Sequence, residues 1–167
     1  MRVFLTGFMG AGKTVVGELL AERLGVPFFD LDREIEARAG MGIRQIFETQ
    51  GEPAFRQSER ETLRALLVLP DAVVATGGGT FTFEANARLM GENGMSVFLN
   101  PPFATIVGRI GVLGKTDRPL FKDETQALTL YRERLPAYRR ADLTVDVGAG
   151  EGPQEVAARI ALLIGKR

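Results

Sequence analysis

An eight-residue segment near the N-terminus, residues 7–14 with the sequence GFMGAGKT, constrains the fold more strongly than any other part of the chain. It fits the pattern G-x-x-x-x-G-K-S/T and lies between an apolar run at residues 2–6 and an amphipathic run at residues 14–25. Its glycines let backbone N–H groups face phosphate oxygens, and the following helix adds the positive end of its dipole. The segment predicts a nucleoside triphosphate site, in which Lys13 bridges the β- and γ-phosphates and Thr14 binds Mg²⁺. The alternative is a glycine-rich turn without a ligand.

Short apolar runs alternate with helical patterns along the whole chain. The predicted strands are residues 2–6, 27–29, 72–76, 96–100 and 143–147, and helical patterns separate them. Such alternation is typical of an α/β fold, in which helices cover both faces of a parallel sheet. No repeat or long linker divides the 167 residues, so we expect a single domain over residues 1–167.

The composition restricts the partners and the chemistry. The 21 basic and 21 acidic residues give no net charge, which argues against binding to nucleic acid or to a membrane surface. Cysteine and histidine are both absent, so acid–base work falls to carboxylates or to a lysine. Without a leader-like apolar segment we expect a cytoplasmic protein, and without a large apolar face we expect a monomer. A base-reading N/T-K-x-D segment follows no predicted strand, so ATP is the expected nucleotide.

One irregular region, about residues 111–124, combines glycines, a proline and charged residues with little periodicity. Loops of this length inside a compact domain are often lids over active sites. A plain surface loop is the alternative.

Two carboxylates, Asp30 and Asp32, follow the second predicted strand at the edge where parallel sheets bind ligands. In an extended Asp-x-Asp segment both side chains share a face, so one could reach a metal and the other an acceptor hydroxyl. Alternatively, Asp30 caps the following helix.

Two arginines are further candidates. Arg56 and Glu59 lie three residues apart in a predicted helix over residues 52–67, where they form either a functional pair or a solvated ion pair. Arg134 lies in the most arginine-rich segment, where Pro136 is expected to interrupt the helix and to fix the direction of the arginine.

The chain resembles the shikimate kinases over nearly its whole length. The motifs that carry the resemblance, in order, are GFMGAGKT, the Asp-x-Asp at 30–32, FRQSE at 55–59, TGGG at 76–79, DRPL at 117–120 and ERLPAY at 133–138. The resemblance implies the three-layer α/β/α fold of P-loop kinases, with a central five-stranded parallel sheet and a mobile lid at about residues 111–124. It also implies transfer of the γ-phosphoryl group of MgATP to the 3-hydroxyl of shikimate.

On the nucleotide side, the resemblance implies that six consecutive residues hold the phosphates: Gly10, Ala11, Gly12, Lys13, Thr14 and Val15. Thr14 would contact Mg²⁺ and Asp30 would lie near the metal through water. Arg109 and Pro153 would flank the adenine, and Arg118 in the lid would contact the transferring phosphate.

On the acceptor side, the resemblance implies a segment of about residues 31–62 in which Asp32 accepts the proton of the 3-hydroxyl. Arg56 and Arg134 would bind the shikimate carboxylate, while Gly78 and Gly79 would offer bare backbone to the ring. Lys13, Asp32 and Arg118 would then be the catalytic residues.

The glycines at 77–79 do not predict a second phosphate site. No Lys-Ser/Thr pair follows them, and the next predicted helix begins only after residue 83. Two alternatives to a shikimate kinase stay open: another P-loop small-molecule kinase, acting on gluconate or a nucleoside monophosphate, and a non-catalytic module that senses ATP. The chain departs from the usual family pattern at Ala137 and Phe121, neither of which carries a charge.

Overall fold

A computed structural model describes residues 1–112 and 123–166 of the chain. Five strands form one parallel sheet in the order β2-β3-β1-β4-β5. Their bounds are β1 Arg2–Thr6, β2 Phe28–Asp30, β3 Ala72–Ala75, β4 Met95–Asn100 and β5 Leu143–Asp146. The predicted five-stranded parallel sheet is therefore confirmed, with each strand within one or two residues of its predicted bounds.

Helices connect the strands of the described part of the chain. They are α1 Lys13–Leu24, α2 Leu31–Ala39, α3 Ile43–Gln50, α4 Glu52–Leu66, α5 Glu84–Asn93, α6 Phe103–Val112, α7 Glu124–Tyr138 and α8 Pro153–Gly165. A 3-10 turn, Thr80–Thr82, precedes α5, so the helix after the three glycines begins as late as the sequence predicts.

The strands are apolar on both sides because helices cover both faces of the sheet. In β1, Val3 and Leu5 pack into a core shared with α1 and α8, whereas Phe4 between them packs into a second core with α2 to α5. These three side chains are fully buried. Side chains alternate across a strand, so a continuous apolar run can supply two cores at once. The result is the predicted three-layer α/β/α arrangement.

The neighbouring strands β2, β3 and β1 end at the same edge of the sheet. Asp30 of β2 pairs with Ala75 of β3, and Ala75 pairs with Leu5 of β1. The carbonyl oxygen of Leu5 accepts two hydrogen bonds from Thr76, from its hydroxyl at 2.8 Å and from its N–H at 3.0 Å. The residues that follow these three strands are therefore brought together, as expected at the carboxyl edge of a parallel sheet.

Two expectations, on the lid and on Pro136, have different outcomes. Most of the region predicted as a lid, including Arg118, lies outside the residues that the structure describes. The prediction that Pro136 interrupts its helix is wrong, because α7 continues through it to Tyr138. Pro136 lies near the end of α7, where the N–H of Arg139 donates to the carbonyl oxygen of Leu135 at 3.0 Å and completes the last turn.

Candidate functional site

The loop after β1 has the backbone geometry of a phosphate cradle. Gly7, Gly10 and Gly12 have φ angles of 145°, 77° and 96°, values that side-chain-bearing residues rarely adopt. Gly12 is also the N-cap of α1, so the N-terminal end of that helix opens directly onto the loop. The requirement for glycine at these positions is thus conformational, and the exposed N–H groups and helix dipole suit an anion.

Lys13 lies across the phosphate loop. Its Nζ donates hydrogen bonds to the carbonyl oxygens of Gly7 at 2.5 Å and Phe8 at 3.0 Å. These bonds hold the ammonium group within the loop, where it adds a positive charge to the N–H groups of the cradle.

Asp30 caps α2, which is one of the two roles that the sequence left open, and it also contacts Thr14. Its Oδ1 accepts a hydrogen bond from the N–H of Arg33 at 3.2 Å and so caps α2, while its Oδ2 accepts one from the Thr14 hydroxyl at 2.8 Å. The premise of an extended Asp-x-Asp segment is wrong, because Asp30 ends β2 and Asp32 already belongs to α2. The chain turns into the helix at Leu31, since the carboxylate of Asp30 satisfies one of the free N–H groups there.

The donors near Thr14 fit a magnesium ion that is held mainly by phosphate and water. The described residues contain no group of three or more acidic side chains placed to hold a metal. Mg²⁺ keeps several waters and takes one or two protein oxygens together with the phosphates of its nucleotide. One hydroxyl and one carboxylate, 2.8 Å apart, match that donor set.

A cleft beside the phosphate loop is lined by six of the nine residues predicted to bind the nucleotide. Its lining includes Gly10, Ala11, Gly12, Val15, Arg109 and Pro153. The Nη1 atom of Arg109 donates to the carbonyl oxygen of Gly10 at 3.0 Å, which joins α6 to the loop. Sequence reasoning missed Thr105, Gly108, Val147, Glu151 and Val156, which also line the cleft. Val147 and Glu151 could have been identified as lining residues from their position after the last strand, because ligands bind at the carboxyl ends of parallel strands.

A second pocket contains the five residues predicted to bind the acceptor: Asp32, Arg56, Gly78, Gly79 and Arg134. The three charged side chains come from different helices, α2, α4 and α7. Besides Glu59 and Gly77, the lining includes four apolar side chains that the sequence analysis did not single out: Met9, Ile43, Phe47 and Phe55. Ile43 and Phe47 lie one turn apart in α3, so a helical spacing of apolar residues was the available signal.

Each glycine of the segment 77–79 lies against a different charged side chain of this pocket. A Cβ atom on Gly77 would lie 2.9 Å from Oδ1 of Asp32, and one on Gly78 would lie 3.2 Å from Nη1 of Arg134. A Cβ atom on Gly79 would lie 2.7 Å from Nη2 of Arg56. None of the three glycines has a positive φ angle. The absence of side chains therefore makes room for the charged groups, and no unusual backbone conformation requires it.

Arg56 and Glu59 form a buried pair, so the solvated ion pair considered above is wrong. The side chain of Glu59 is fully buried and that of Arg56 is 12% exposed, with Nη1 and Oε1 3.1 Å apart. Oε2 of Glu59 accepts a hydrogen bond from the Thr80 hydroxyl at 2.8 Å, and this hydroxyl accepts one from the N–H of Gly77 at 2.9 Å. Burial raises the pKa of Glu59, and the charge of Arg56 opposes that rise.

Arg134 and Tyr138 lie one turn apart in α7 and are both buried. The hydroxyl of Tyr138 donates a hydrogen bond to the carbonyl oxygen of Gly78. Burial raises the pKa of Tyr138 to about 12, while the charge of Arg134 and a hydrogen bond with it act in the opposite direction. The phenol thus stays protonated and able to donate. Tyr138 is part of the ERLPAY motif, but the sequence alone did not predict its hydrogen bond to the glycine segment, because the fold brings the two together.

The sequence matches the model of the family described as Shikimate kinase over residues 9–164.

The chain belongs to the shikimate kinase family.

Relatives within this family cover most of the chain. A shikimate kinase of Ruegeria pomeroyi is 46% identical over 146 residues, which are 86% of this chain and 74% of that protein. A shikimate kinase of Geobacter sulfurreducens is 44% identical over 97% of this chain and 90% of its own length. The solved structure of shikimate kinase from Acinetobacter baumannii in complex with shikimate superposes with a TM-score of 0.92, at 36% identity over 99% of this chain and 93% of that one. The resemblance, the fold and the enzyme class predicted from the motifs are confirmed: the protein is an ATP-dependent phosphotransferase of the shikimate kinase family.

None of the helices in residues 1–112 and 123–166 combines the length and the apolar character that crossing a membrane requires.

Proposed function

We propose that the protein transfers the γ-phosphoryl group of ATP to the 3-hydroxyl of shikimate, giving shikimate 3-phosphate and ADP. The observation that carries the proposal is the convergence of Asp32, Arg56 and Arg134 on three bare glycines in a pocket whose lining includes Met9 of the phosphate loop. Two guanidinium groups suit a carboxylate, and a separate carboxylate suits a hydroxyl. A ring that carries both groups has a partner for each of them in this pocket.

The two arginines orient the acceptor. A guanidinium group is planar and always charged, so it forms paired hydrogen bonds with a carboxylate that fix the direction of the substrate. Arg134 is held by Tyr138 and Arg56 by Glu59, so both groups are positioned before the acceptor arrives. Little side-chain freedom then has to be lost on binding.

Asp32 is the group that orients the attacking hydroxyl and takes its proton. The hydroxyl oxygen forms a bond to the γ-phosphorus as the bond from that phosphorus to the oxygen of ADP breaks, and the proton passes to the Asp32 carboxylate. Phosphoryl transfer has a loose transition state, so positioning and charge neutralisation supply most of the acceleration. A carboxylate can therefore serve in a chain without histidine.

The nucleotide would lie in the cleft lined by the phosphate loop, Arg109 and Pro153. Lys13 and the N–H groups of residues 10–15 bind the phosphates, and Arg118 contributes a further charge. Thr14 directly and Asp30 through water would hold Mg²⁺, which neutralises charge on the phosphates. We further propose that the enzyme is a monomer over one domain, acting in the cytoplasm. Size-exclusion chromatography with light scattering tests the oligomeric state.

An ADP-release assay over a panel of acceptors tests the reaction. We expect turnover with shikimate that exceeds turnover with gluconate, other hydroxy acids, sugars and nucleoside monophosphates by at least a hundredfold, about 2.7 kcal/mol. Asp32→Asn should lose most of this turnover, which excludes a contaminating kinase. ADP release that is equal without any acceptor, or greater with gluconate or a nucleotide, would disprove the assignment.

A further inference from the structure

Phe83 occupies a position where a different residue type would serve the local structure better. It is the N-cap of α5, with φ −89° and ψ 120°, and its carbonyl oxygen accepts the N–H of Ala87 at 3.0 Å. Serine, threonine, aspartate and asparagine are preferred there, because their side chains accept a hydrogen bond from the first turn. Phenylalanine provides no such acceptor, and its side chain is large, apolar and 43% exposed.

The ring of Phe83 has a partner in the acceptor pocket. The Cζ atom of Arg56 lies 5.0 Å from the centre of this ring and 5.1 Å from the centre of the Phe55 ring. A guanidinium group within about 6 Å of a ring centre is attracted by the negative charge of the ring face. Arg56 is thus held by two aromatic rings as well as by Glu59.

The two rings are not equivalent in the fold. Phe55 is 4% exposed and packs in the core with α2 and α4, so its burial alone accounts for its presence. Phe83 belongs to none of the core clusters of the described residues. Its contact with Arg56 is therefore the feature that compensates for a missing helix cap and an exposed ring.

We infer that Phe83 is a positioning residue for the acceptor, acting through the guanidinium group of Arg56. The inference rests on the proposed function, in which Arg56 binds the shikimate carboxylate. When the Phe83 ring is removed, Arg56 keeps its charge but loses one of the contacts that fix its orientation. Paired hydrogen bonds depend on that orientation, so binding of the acceptor weakens while binding of ATP does not.

Three substitutions separate this role from a purely structural one. Phe83→Leu removes the aromatic face, Phe83→Ser removes it and supplies a helix cap, and Phe83→Tyr keeps the face. We expect the acceptor KM to rise about 3- to 10-fold in the Leu and Ser variants, the range of one cation–π contact at a partly buried site. The Tyr variant should restore most of the affinity. Leu162→Ala, which removes another exposed apolar side chain, is the matched control and should leave the acceptor KM unchanged.

Thermal unfolding of the same variants provides the second readout. The serine variant gains an N-cap, so its Tm should be at least as high as that of the leucine variant, although both bind the acceptor weakly. An acceptor KM that follows Tm across the series, or that stays at the wild-type value in the Leu and Ser variants, overturns the inference.

A double-substitution cycle tests the path through Arg56. In an Arg56→Gln background, Phe83→Leu should raise the acceptor KM by less than twofold further, because the cation that the ring attracts is absent. An undiminished effect in that background contradicts the inference. Absence of shikimate turnover in the unaltered enzyme would instead contradict the proposed function, so the two failures are distinguishable.

Discussion

The hydroxyl of Tyr138 donates a hydrogen bond to the carbonyl oxygen of Gly78, sixty residues earlier in the chain. On the other side of the same glycine segment, Thr80 joins the N–H of Gly77 to the carboxylate of Glu59. Tyr138 also bonds to Arg134, and Glu59 also bonds to Arg56. The glycine segment and both arginines therefore form one hydrogen-bonded unit.

Tyr138→Phe should weaken this unit while keeping its packing. A buried carbonyl group loses its donor, so we expect the free energy of unfolding to fall by about 1 to 3 kcal/mol, and the acceptor KM to rise. Tyr131→Phe, which removes another hydroxyl of α7 that bonds to Asn100 at 3.2 Å, should leave the acceptor KM unchanged. Urea titration and steady-state kinetics measure both effects. Equal acceptor KM values in the two variants would contradict the proposed coupling.

Gly78→Ala should impair acceptor binding far more than ATP binding. The added methyl group would lie 3.2 Å from Nη1 of Arg134, so the guanidinium group must move. We expect the acceptor KM to rise about tenfold, or about 1.4 kcal/mol, with the KM for ATP within a factor of two. Gly91→Ala in α5 is the control, because nothing lies within 4 Å of its added methyl group and alanine favours a helix. An equal rise in both KM values for Gly78→Ala would refute a specific effect on the acceptor.

Arg134→Lys should raise the acceptor KM by at least tenfold, about 1.4 kcal/mol of lost binding. Lysine keeps the charge, but its ammonium group cannot form the paired hydrogen bonds of a guanidinium group. Arg132→Lys, on the exposed side of the same helix, is the control. Initial rates over a range of both substrates distinguish the two KM values. An unchanged acceptor KM would remove Arg134 from the carboxylate site.

Glu59 should make unfolding depend on pH in a direction that is unusual for a carboxylate. Burial raises its pKa above the ordinary glutamate value of 4.5, with Arg56 opposing the rise and Asp32 adding to it. The folded state then binds more protons than the unfolded state as pH rises past 4.5, so this contribution to stability is present at low pH and is lost as pH rises through the folded pKa.

The free energy of unfolding of the wild type minus that of Glu59→Gln isolates the contribution of Glu59, because the contributions of the other titratable groups cancel in this difference. The free energy of unfolding of the wild type, relative to this variant, should decrease in urea titrations as pH rises above 4.5. Glu61→Gln, an exposed neighbour in α4, should show no such trend. A difference that grows with pH would mean that the attraction of Arg56 outweighs burial.

The fold and the nucleotide side of the site could be predicted because their signals are local. Adjacent residues in the sequence are enough to recognise three features: the apolar runs that form strands, the glycines at 10 and 12 that need positive φ angles, and the Lys13-Thr14 pair. The starts of α4 and α8 also follow from nearby residues, because each has a proline at its first or second helical position.

The acceptor side needed information that spacing does not contain. An Arg–Glu pair three residues apart in a helix can be either exposed or buried. Glu59 is buried because α4 packs against β3, α2 and α3. The contact of Phe83 with Arg56 joins residues 27 positions apart, and that of Tyr138 with Gly78 joins residues 60 positions apart. The sequence left two alternatives for residues 30–32, an extended segment or a helix capped by Asp30, because an aspartate at the end of a strand suits both. The structure shows the cap, and Asp30 also contacts Thr14.

The bonds from Thr76 to the carbonyl oxygen of Leu5 join the start of the phosphate loop to the start of the glycine segment. Adjacent strands of a sheet lie about 4.8 Å apart. The distance between the phosphate loop and the glycine segment is therefore set by the spacing of two neighbouring strands. Side chains on α2, α4 and α7 lie on other elements, so we expect that they can be altered to accept other carboxylated alcohols without a change in that distance.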